Sequence, residues 1–480
     1  MLRKFYLSWY PREIAGDSRK RNIANRIILI GIGIRFLAMP FTAHNDFLSE
    51  HIRVYQIVDG TNLFPGILQI ATHYLDALYM MAAKFMIPGI AAVFAPDKGG
   101  LTTAGIERFM EFCGGDYILR TIFVFKIPYL IAELAAVFLI LKLAENNIPG
   151  KNKNMLPALR FLMYNPATIY AVYIFGRFEV YVFLFIVLSL YFAKNKNIYW
   201  AGLFFGLSII TRAYPVFLLP IFLILLPEKI KGKIIFLVFS FVPLLVAVIS
   251  FKIYNLIMLS KGMAVNTVTG VFSRESSFIN TVFRSVIQIG DYGIQLFTLA
   301  YILLLIFILN YCRRMETGKI THTGIPEDTR TTGGEAIGLF LVRVSYFSVT
   351  FFMLFYLLIN YSAHWITWFV PFGTLLVFKN KKYFSLFYIL IGTWFFHWLF
   401  NTDVGVFTPY LLSPVGGGYF HQAAQIIGQK LQRFAVGDYL NLQVLIVLFR
   451  TIFSAAIIWI IVNIGMDLRN NTTKSLKTDV

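Results

Sequence analysis

Long apolar runs alternate with short polar breaks along this chain. A run of about 20 mostly apolar residues is enough for one helix to cross the hydrocarbon core of a bilayer. About twelve such runs can be traced: 23–41, 117–145, 156–175, 178–193, 198–212, 214–227, 234–255, 294–312, 336–360, 365–378, 383–400 and 442–465. Three of them are short, and 198–212 and 214–227 read as tilted spans or as a broken helix sheltered among its neighbours. The pattern therefore predicts an all-α polytopic membrane protein with about 12 transmembrane helices. No soluble domain and no strong internal repeat interrupts it.

The polar breaks set an orientation. Placing the N-terminus in the cytoplasm puts most Lys and Arg on one side, including the short loops Lys194-Asn195-Lys196 and Lys379-Asn380-Lys381-Lys382. That agrees with the positive-inside rule. Both termini are then cytoplasmic: a basic N-terminal segment 1–22 and a tail 466–480. Segment 23–400 forms the main transmembrane module, and 401–465 an outer loop followed by the last span. The long loops 42–116, 256–293 and 401–441 fall outside. Amphipathic stretches at 74–85 and 421–434 read as helices lying in the interface plane. The polar loop 313–334 reads as a solvated cytoplasmic linker.

Composition sharpens this picture. Of 480 residues 58% are hydrophobic and only 14% charged, with a mean hydropathy of +0.68. Soluble domains carry about 25% charged residues, so a soluble enzyme, a disordered chain and a coiled coil are excluded. A net charge of +19 would suggest nucleic acid in a soluble protein. Here it reads as topological punctuation, with the lipid bilayer and no nucleic acid as partner. The two cysteines, Cys113 and Cys312, fall on opposite sides and are not expected to pair. The first apolar run follows a polar, basic stretch without a small-residue cleavage site, so no cleaved signal peptide is expected.

Candidate chemistry gathers on the outer side. After the first span comes His44-Asn45-Asp46-Phe47-Leu48-Ser49-Glu50-His51. Asp46 and Glu50 are four apart, which on a helix puts both on one face. Such a carboxylate can act as a general base toward a hydroxyl, or as an oxygen ligand to a divalent cation; as a plain helix cap it would need neither role. Three more polar clusters end spans on the same side: Gly176-Arg177-Phe178-Glu179 after Asn165-Pro166, Thr211-Arg212-Ala213-Tyr214-Pro215, and Tyr361-Ser362-Ala363-His364-Trp365. Arg35, Arg120, Lys126, Lys252 and Arg450 fall in outer halves of spans, against the prevailing bias. Charges inside spans are costly and tend to face a cavity. They suggest an anionic ligand near the outer leaflet, such as a lipid-linked phosphate. His73 and His397 stand alone among aromatics and read as structural. There is no P-loop and no Asp-x-Asp.

The ordered motifs resemble GT-C glycosyltransferases that use polyprenyl-phosphate sugars. The likeness is nearest to the first mannosyltransferase of GPI-anchor assembly and to related bacterial and archaeal mannosyltransferases. It rests on four stretches: Asp46 with Asp59-Gly60-Thr61-Asn62-Leu63-Phe64 and Thr72-His73-Tyr74; Asn165-Pro166 to Glu179; residues 202–220 with Arg212-Ala213-Tyr214-Pro215; and His364-Trp365-Ile366-Thr367-Trp368-Phe369-Val370-Pro371. Three departures stand out: Leu75-Asp76 lacks the family's Pro, Glu179 replaces an Asp, and Arg212 replaces a Lys. The resemblance implies a GT-C fold with its catalytic Asp in loop 42–116. It also implies an inverting transfer without metal or cofactor on the non-cytoplasmic face, in a cell membrane rather than the endoplasmic reticulum. Asp46 would be the catalytic base. Glu50, Arg177, Glu179, Arg212, Tyr214, His364 and Trp365 would bind substrate. The partners implied are a polyprenyl-phosphate sugar donor, most simply mannose, and a glycolipid, lipid-linked oligosaccharide or protein acceptor. The competing reading is a transporter or flippase of lipid-linked or anionic substrates. It would use a midplane acid, for which Glu133 is the candidate unless Lys126 pairs with it.

Overall fold

The structure is a computed structural model and describes residues 11–65, 69–87, 89–94, 106–145, 154–261, 286–289, 292–320, 333–399, 409–416 and 442–477. Loop 421–434 and residues 262–285 lie outside the described residues. Helices dominate. In chain order they are α1 (Ser18–Ala38), α2 (Asn45–Val58), α3 (Ile70–Ala83), α4 (Ile118–Glu145), α5 (Met155–Met163), α6 (Glu179–Lys194), α7 (Ile198–Thr211), α8 (Pro215–Leu225), α9 (Ile230–Ser260), α10 (Leu296–Ile320), α11 (Gly333–Leu358), α12 (Val370–Lys379), α13 (Lys382–Leu399) and α14 (Leu442–Lys477). Shorter helical turns join them. One departure from the all-helical expectation is a hairpin, β1 (Val286–Ile289) against β2 (Tyr292–Gln295), with Val286 opposite Gln295. It is rich in the β-branched residues that suit strands.

Among the described residues five helices are long and apolar enough to cross a membrane: Ile118–Glu145, Ile230–Ser260, Leu296–Met315, Gly338–Leu358 and Val444–Asn470. The other expected spans are present as shorter or more polar helices. The run 156–175 is broken at Asn165, because Asn165 caps a new turn and Pro166 supplies no N–H to continue the old one. Helices α7 and α8 have 14 and 11 residues, below the length of a single crossing. Helix α14 runs on to Lys477, and Asp467 within it accepts from Lys382 Nζ at 2.6 Å and the Tyr383 hydroxyl at 2.8 Å. These bonds fasten α14 to the start of α13. No disulfide joins Cys113 and Cys312.

Small residues set the helix spacing. Gly202 and Gly206 form a Gly-x-x-x-Gly stripe on α7 facing α9. A Cβ on Gly202 would come within 2.6 Å of the Phe236 carbonyl, and one on Gly206 would collide with the Ser240 carbonyl. Such stripes let helix backbones approach where lipid removes any hydrophobic drive between helices.

A charged anchor joins the first helices. Arg35 on α1 grips Glu133 on α4 through two parallel bonds, Nε–Oε2 at 2.7 Å and Nη2–Oε1 at 2.6 Å. The Tyr173 hydroxyl donates to Glu133 Oε2 at 2.5 Å, and Arg35 Nη1 donates to the Met163 carbonyl at 2.7 Å. Lys126 does not pair with Glu133. Its Nζ donates to the carbonyls of Thr42 at 2.5 Å and Tyr173 at 2.6 Å. The seven-residue spacing puts Lys126 and Glu133 on one face of α4, but separate partners take each. Breaking one half of a buried pair costs about 3–5 kcal/mol, because a bare charge is left behind. Arg35→Met should therefore unfold at a clearly lower temperature in detergent, and adding Glu133→Gln should recover most of the loss. An unchanged transition in Arg35→Met would show that the anchor is dispensable.

Candidate functional site

Four chain segments bring the predicted residues to one end of the bundle. The first is the start of α2, where His44 is the N-cap and its Nδ1 accepts the Asp46 N–H at 3.2 Å. This fixes Asp46 in the first turn, where the helix dipole favours a carboxylate. The second segment follows Asn165. Its Oδ1 accepts from the N–H groups of Ala167 at 2.9 Å and Thr168 at 3.3 Å. The chain then widens into a π-helix, Ile169–Ile174, closed by Phe175 N–H to the Tyr170 carbonyl at 2.7 Å. Gly176 has φ +86, and a Cβ there would lie 3.0 Å from the Phe47 ring. A side chain would be strained by the backbone and crowded by α2. The tight passage delivers Arg177 to Asp46. The third segment is the end of α7, where the chain turns extended at Arg212. The fourth is the 3₁₀ turn Ala363–Phe369, which carries His364, Trp365 and Trp368.

The side chains form two linked ion pairs. Arg177 Nη1 lies 3.2 Å from Asp46 Oδ2, and the Asp46 side chain keeps 39% of its surface exposed. Arg212 Nη2 donates to Glu179 Oε1 at 2.8 Å. Between the pairs lies Phe178, with the guanidinium carbons of Arg177 and Arg212 at 5.1 and 4.5 Å from its ring centre. Glu179 Oε2 accepts the Trp368 indole N–H at 3.0 Å, and His364 Nε2 is 3.6 Å from Oε1. The surrounding protein disfavours the charge on Asp46, but Arg177 first, with Arg212 and Arg53 adding, holds its carboxyl below the ordinary range. Burial lowers His44 to about 4. It is thus neutral at pH 7, as its accepting Nδ1 requires.

Aromatic rings line the rest. Tyr214 stacks on Trp368 at 4.0 Å, and Trp368 on Trp365 at 4.7 Å. On the other side His44 stacks on Phe175 at 3.9 Å, and Phe175 lies 4.9 Å from His364. Neither ring nitrogen of His364 has a hydrogen-bond partner in the protein. A narrow recess beside Glu179 is lined by Thr168, Val180, Tyr214, Thr367 and Trp368.

Below Asp46 a second polar layer is closed off. Glu50 is buried, one turn along α2, with His73 Nε2 at 2.8 Å and Arg53 Nη1 at 3.6 Å. Burial disfavours its charge, but His73 and Arg53 outweigh that and hold it near about 2. Asp76 accepts hydroxyl bonds from Tyr181 at 2.7 Å and Tyr129 at 3.3 Å, and burial pushes it up to about 8 despite those donors. It ties α3 to α4 and α6. The opposite face of α3 exposes Tyr74, Leu75, Leu78 and Met81, so the helix is amphipathic.

Asp46, Arg177, Glu179, Arg212, Tyr214, His364 and Trp365 therefore share one neighbourhood, while Glu50 sits beneath it, covered by His73. The five cations expected in the outer halves of spans do not converge. Arg35 and Lys126 belong to the anchor, Arg120 donates to the Met86 carbonyl, Arg450 donates to the Tyr356 carbonyl at 2.8 Å, and Lys252 is exposed. Helix ends and broken turns leave carbonyls that need donors, and Arg35, Arg120, Lys126 and Arg450 supply them. Sequence reasoning missed Phe178, the platform for both guanidinium groups, and Asp76. The signal for Phe178 was its place between Arg177 and Glu179. Among the described residues no three His, Cys, Asp or Glu are grouped to hold a metal ion.

Gly176→Ala should cost about 1–3 kcal/mol from the forced backbone conformation alone. It would be read as a lower unfolding temperature, and Phe47→Leu should relieve only the part due to crowding. Wild-type stability of Gly176→Ala would refute the requirement for glycine.

No protein-family model matches this chain, and no curated protein or solved structure matches it either.

Proposed function

We propose that this chain is an integral membrane glycosyltransferase. It transfers a sugar, mannose by the motif resemblance, from a polyprenyl-phosphate donor to an acceptor hydroxyl. In this reading the chain crosses the cell membrane about twelve times with both termini cytoplasmic, and the site faces the other side. The acceptor is a glycolipid, a lipid-linked oligosaccharide or a protein. The observation that carries the reading is the grouping of one partly exposed carboxylate, Asp46, with two guanidinium groups that flank Phe178.

The chemistry is a single displacement. Asp46 takes the proton of the acceptor hydroxyl as its oxygen forms a bond to the anomeric carbon. The bond from that carbon to the phosphate oxygen breaks, and its electron pair leaves with the phosphate. Inversion follows from attack on the opposite face. Arg212 and Arg177 stabilise the departing charge, where a half-dry site strengthens each contact. His364 offers a nitrogen without a protein partner, and Trp365, the half-buried end of the aromatic stack, offers a face to sugar or prenyl chain. Phosphate leaves without protonation, so a single carboxylate suffices. A transporter finds less support, since Glu133, the acid it would use, is occupied by Arg35.

Two measurements test the reading. Transfer from a labelled short-chain polyprenyl-phosphate mannose should fall about 10²–10⁴-fold in Asp46→Asn, the usual worth of a general base. Normal turnover in folded protein would overturn the assignment. Donor affinity of Arg212→Ala should weaken about 10–100-fold, the worth of a charged hydrogen bond; unchanged affinity would remove Arg212 from the phosphate site.

A further inference from the structure

The chain holds two kinds of arginine–carboxylate pair. Arg35 and Glu133 are fully buried, joined by two short bonds, and further fixed by Tyr173 and backbone carbonyls. Arg177 and Asp46 meet by one contact of 3.2 Å, at a carboxylate that water reaches. Arg177 Nε has no partner in the protein, and neither does Arg212 Nε. Phe178 holds both guanidinium groups on its ring without satisfying their donors. The first pair is closed; the second has spare donors and one weak bond to give up. A carboxylate facing a guanidinium is a poor proton acceptor, so the resting geometry holds the base of the proposed reaction in check.

We propose that Arg177 exchanges Asp46 for the phosphate of a bound prenyl-phosphate donor, so that Asp46 becomes a competent base only after the donor has bound. This inference rests on the reading of Asp46 as the base. The donor's phosphodiester outcompetes one carboxylate oxygen because its two unesterified oxygens accept from both guanidinium groups, including the two spare Nε donors. The groups facing Asp46 are His44 at the cap, Glu50 and Arg53 further along α2, Arg177 from the turn before α6, and Arg212 from the end of α7. Arg177 alone among the cations touches it directly. Turnover is then ordered, with donor before proton transfer.

The test reads Asp46 without relying on sugar transfer. Purified full-length protein in detergent is labelled with a water-soluble carbodiimide across a pH series, and modification of Asp46 is followed by mass spectrometry. Farnesyl phosphate is the probe and farnesol the control for its tail. The labelling midpoint should rise by about 1 pH unit with farnesyl phosphate, the scale on which a neighbouring opposite charge acts, and should not move with farnesol. Arg177→Gln should start from the raised midpoint and show no further rise; Arg177→Lys should lie between. If Arg177→Gln does not fold, the wild-type comparison decides alone. A wild-type midpoint that stays put at saturating probe overturns the exchange, as does a probe-driven rise that persists in Arg177→Gln or a failure of farnesyl phosphate to bind. Transfer measured in parallel separates the two ideas. Asp46-dependent transfer with a fixed midpoint removes only the exchange. A moved midpoint in a protein that transfers no sugar removes the enzyme reading and leaves the anion exchange.

Discussion

The Arg35–Glu133 pair is the contact on which the rest of the site depends. It sits where neither water nor a loop can compensate for a lost partner. Arg35 joins α1 to α4 and reaches the carbonyl at the end of α5, while Tyr173 ties the π-helix to the same carboxylate. Lys126 then closes the carbonyls of Thr42 and Tyr173. Asp46 is four residues beyond Thr42 and Arg177 is four beyond Tyr173. The anchor thus sets the distance between the two segments that carry Asp46 and Arg177. Desolvated charges are an expensive way to hold helices together. Their value here is geometric, because two parallel bonds fix both distance and orientation.

Above the anchor the design changes from closed to open. Glu133, Glu50 and Asp76 each have protein neighbours, and each is buried. Asp46 alone of the four retains a substantial exposed surface. Aromatic residues provide the walls, since flat rings present polarisable faces while the polar edges of Tyr and Trp take hydrogen-bond partners. Tyr214, Trp368 and Trp365 stack in one row, with Glu179 bonded to the central indole. That bond connects the aromatic row to the Arg212 pair, so the 3₁₀ turn and the end of α7 cannot shift independently.

How much of this was readable in the chain depends on the range of the interactions. Asp46 and Glu50 were legible as neighbours on one helix because their spacing is local. The break at Asn165-Pro166 was legible because an N-cap side chain and a missing N–H act within a turn. The grouping of Arg177, Arg212 and His364 at one end was legible through alternation of the spans. Lys126 and Arg35 misled, since a cation in an apolar run looks the same whether it awaits a ligand or closes a carbonyl. Glu133 misled similarly: Lys126 shares its helical face, but the partner it takes comes from 98 residues away in sequence. Asp76 gave no signal, as its two tyrosine partners lie on other helices.

Hydropathy and residue type therefore determined by themselves that the chain is helical and membrane-embedded, where it breaks, and which side chains can carry charge at its ends. These follow from the free energy of placing each residue in hydrocarbon or water, a property of short segments. Tertiary structure alone decided which charges are spent on scaffold and which stay available. That choice separates Arg35 from Arg177 and Glu50 from Asp46, two pairs of like residues with opposite fates. The reason is physical: a charge's state depends on the partners and water within a few ångströms, and in a folded chain most of those partners come from distant segments.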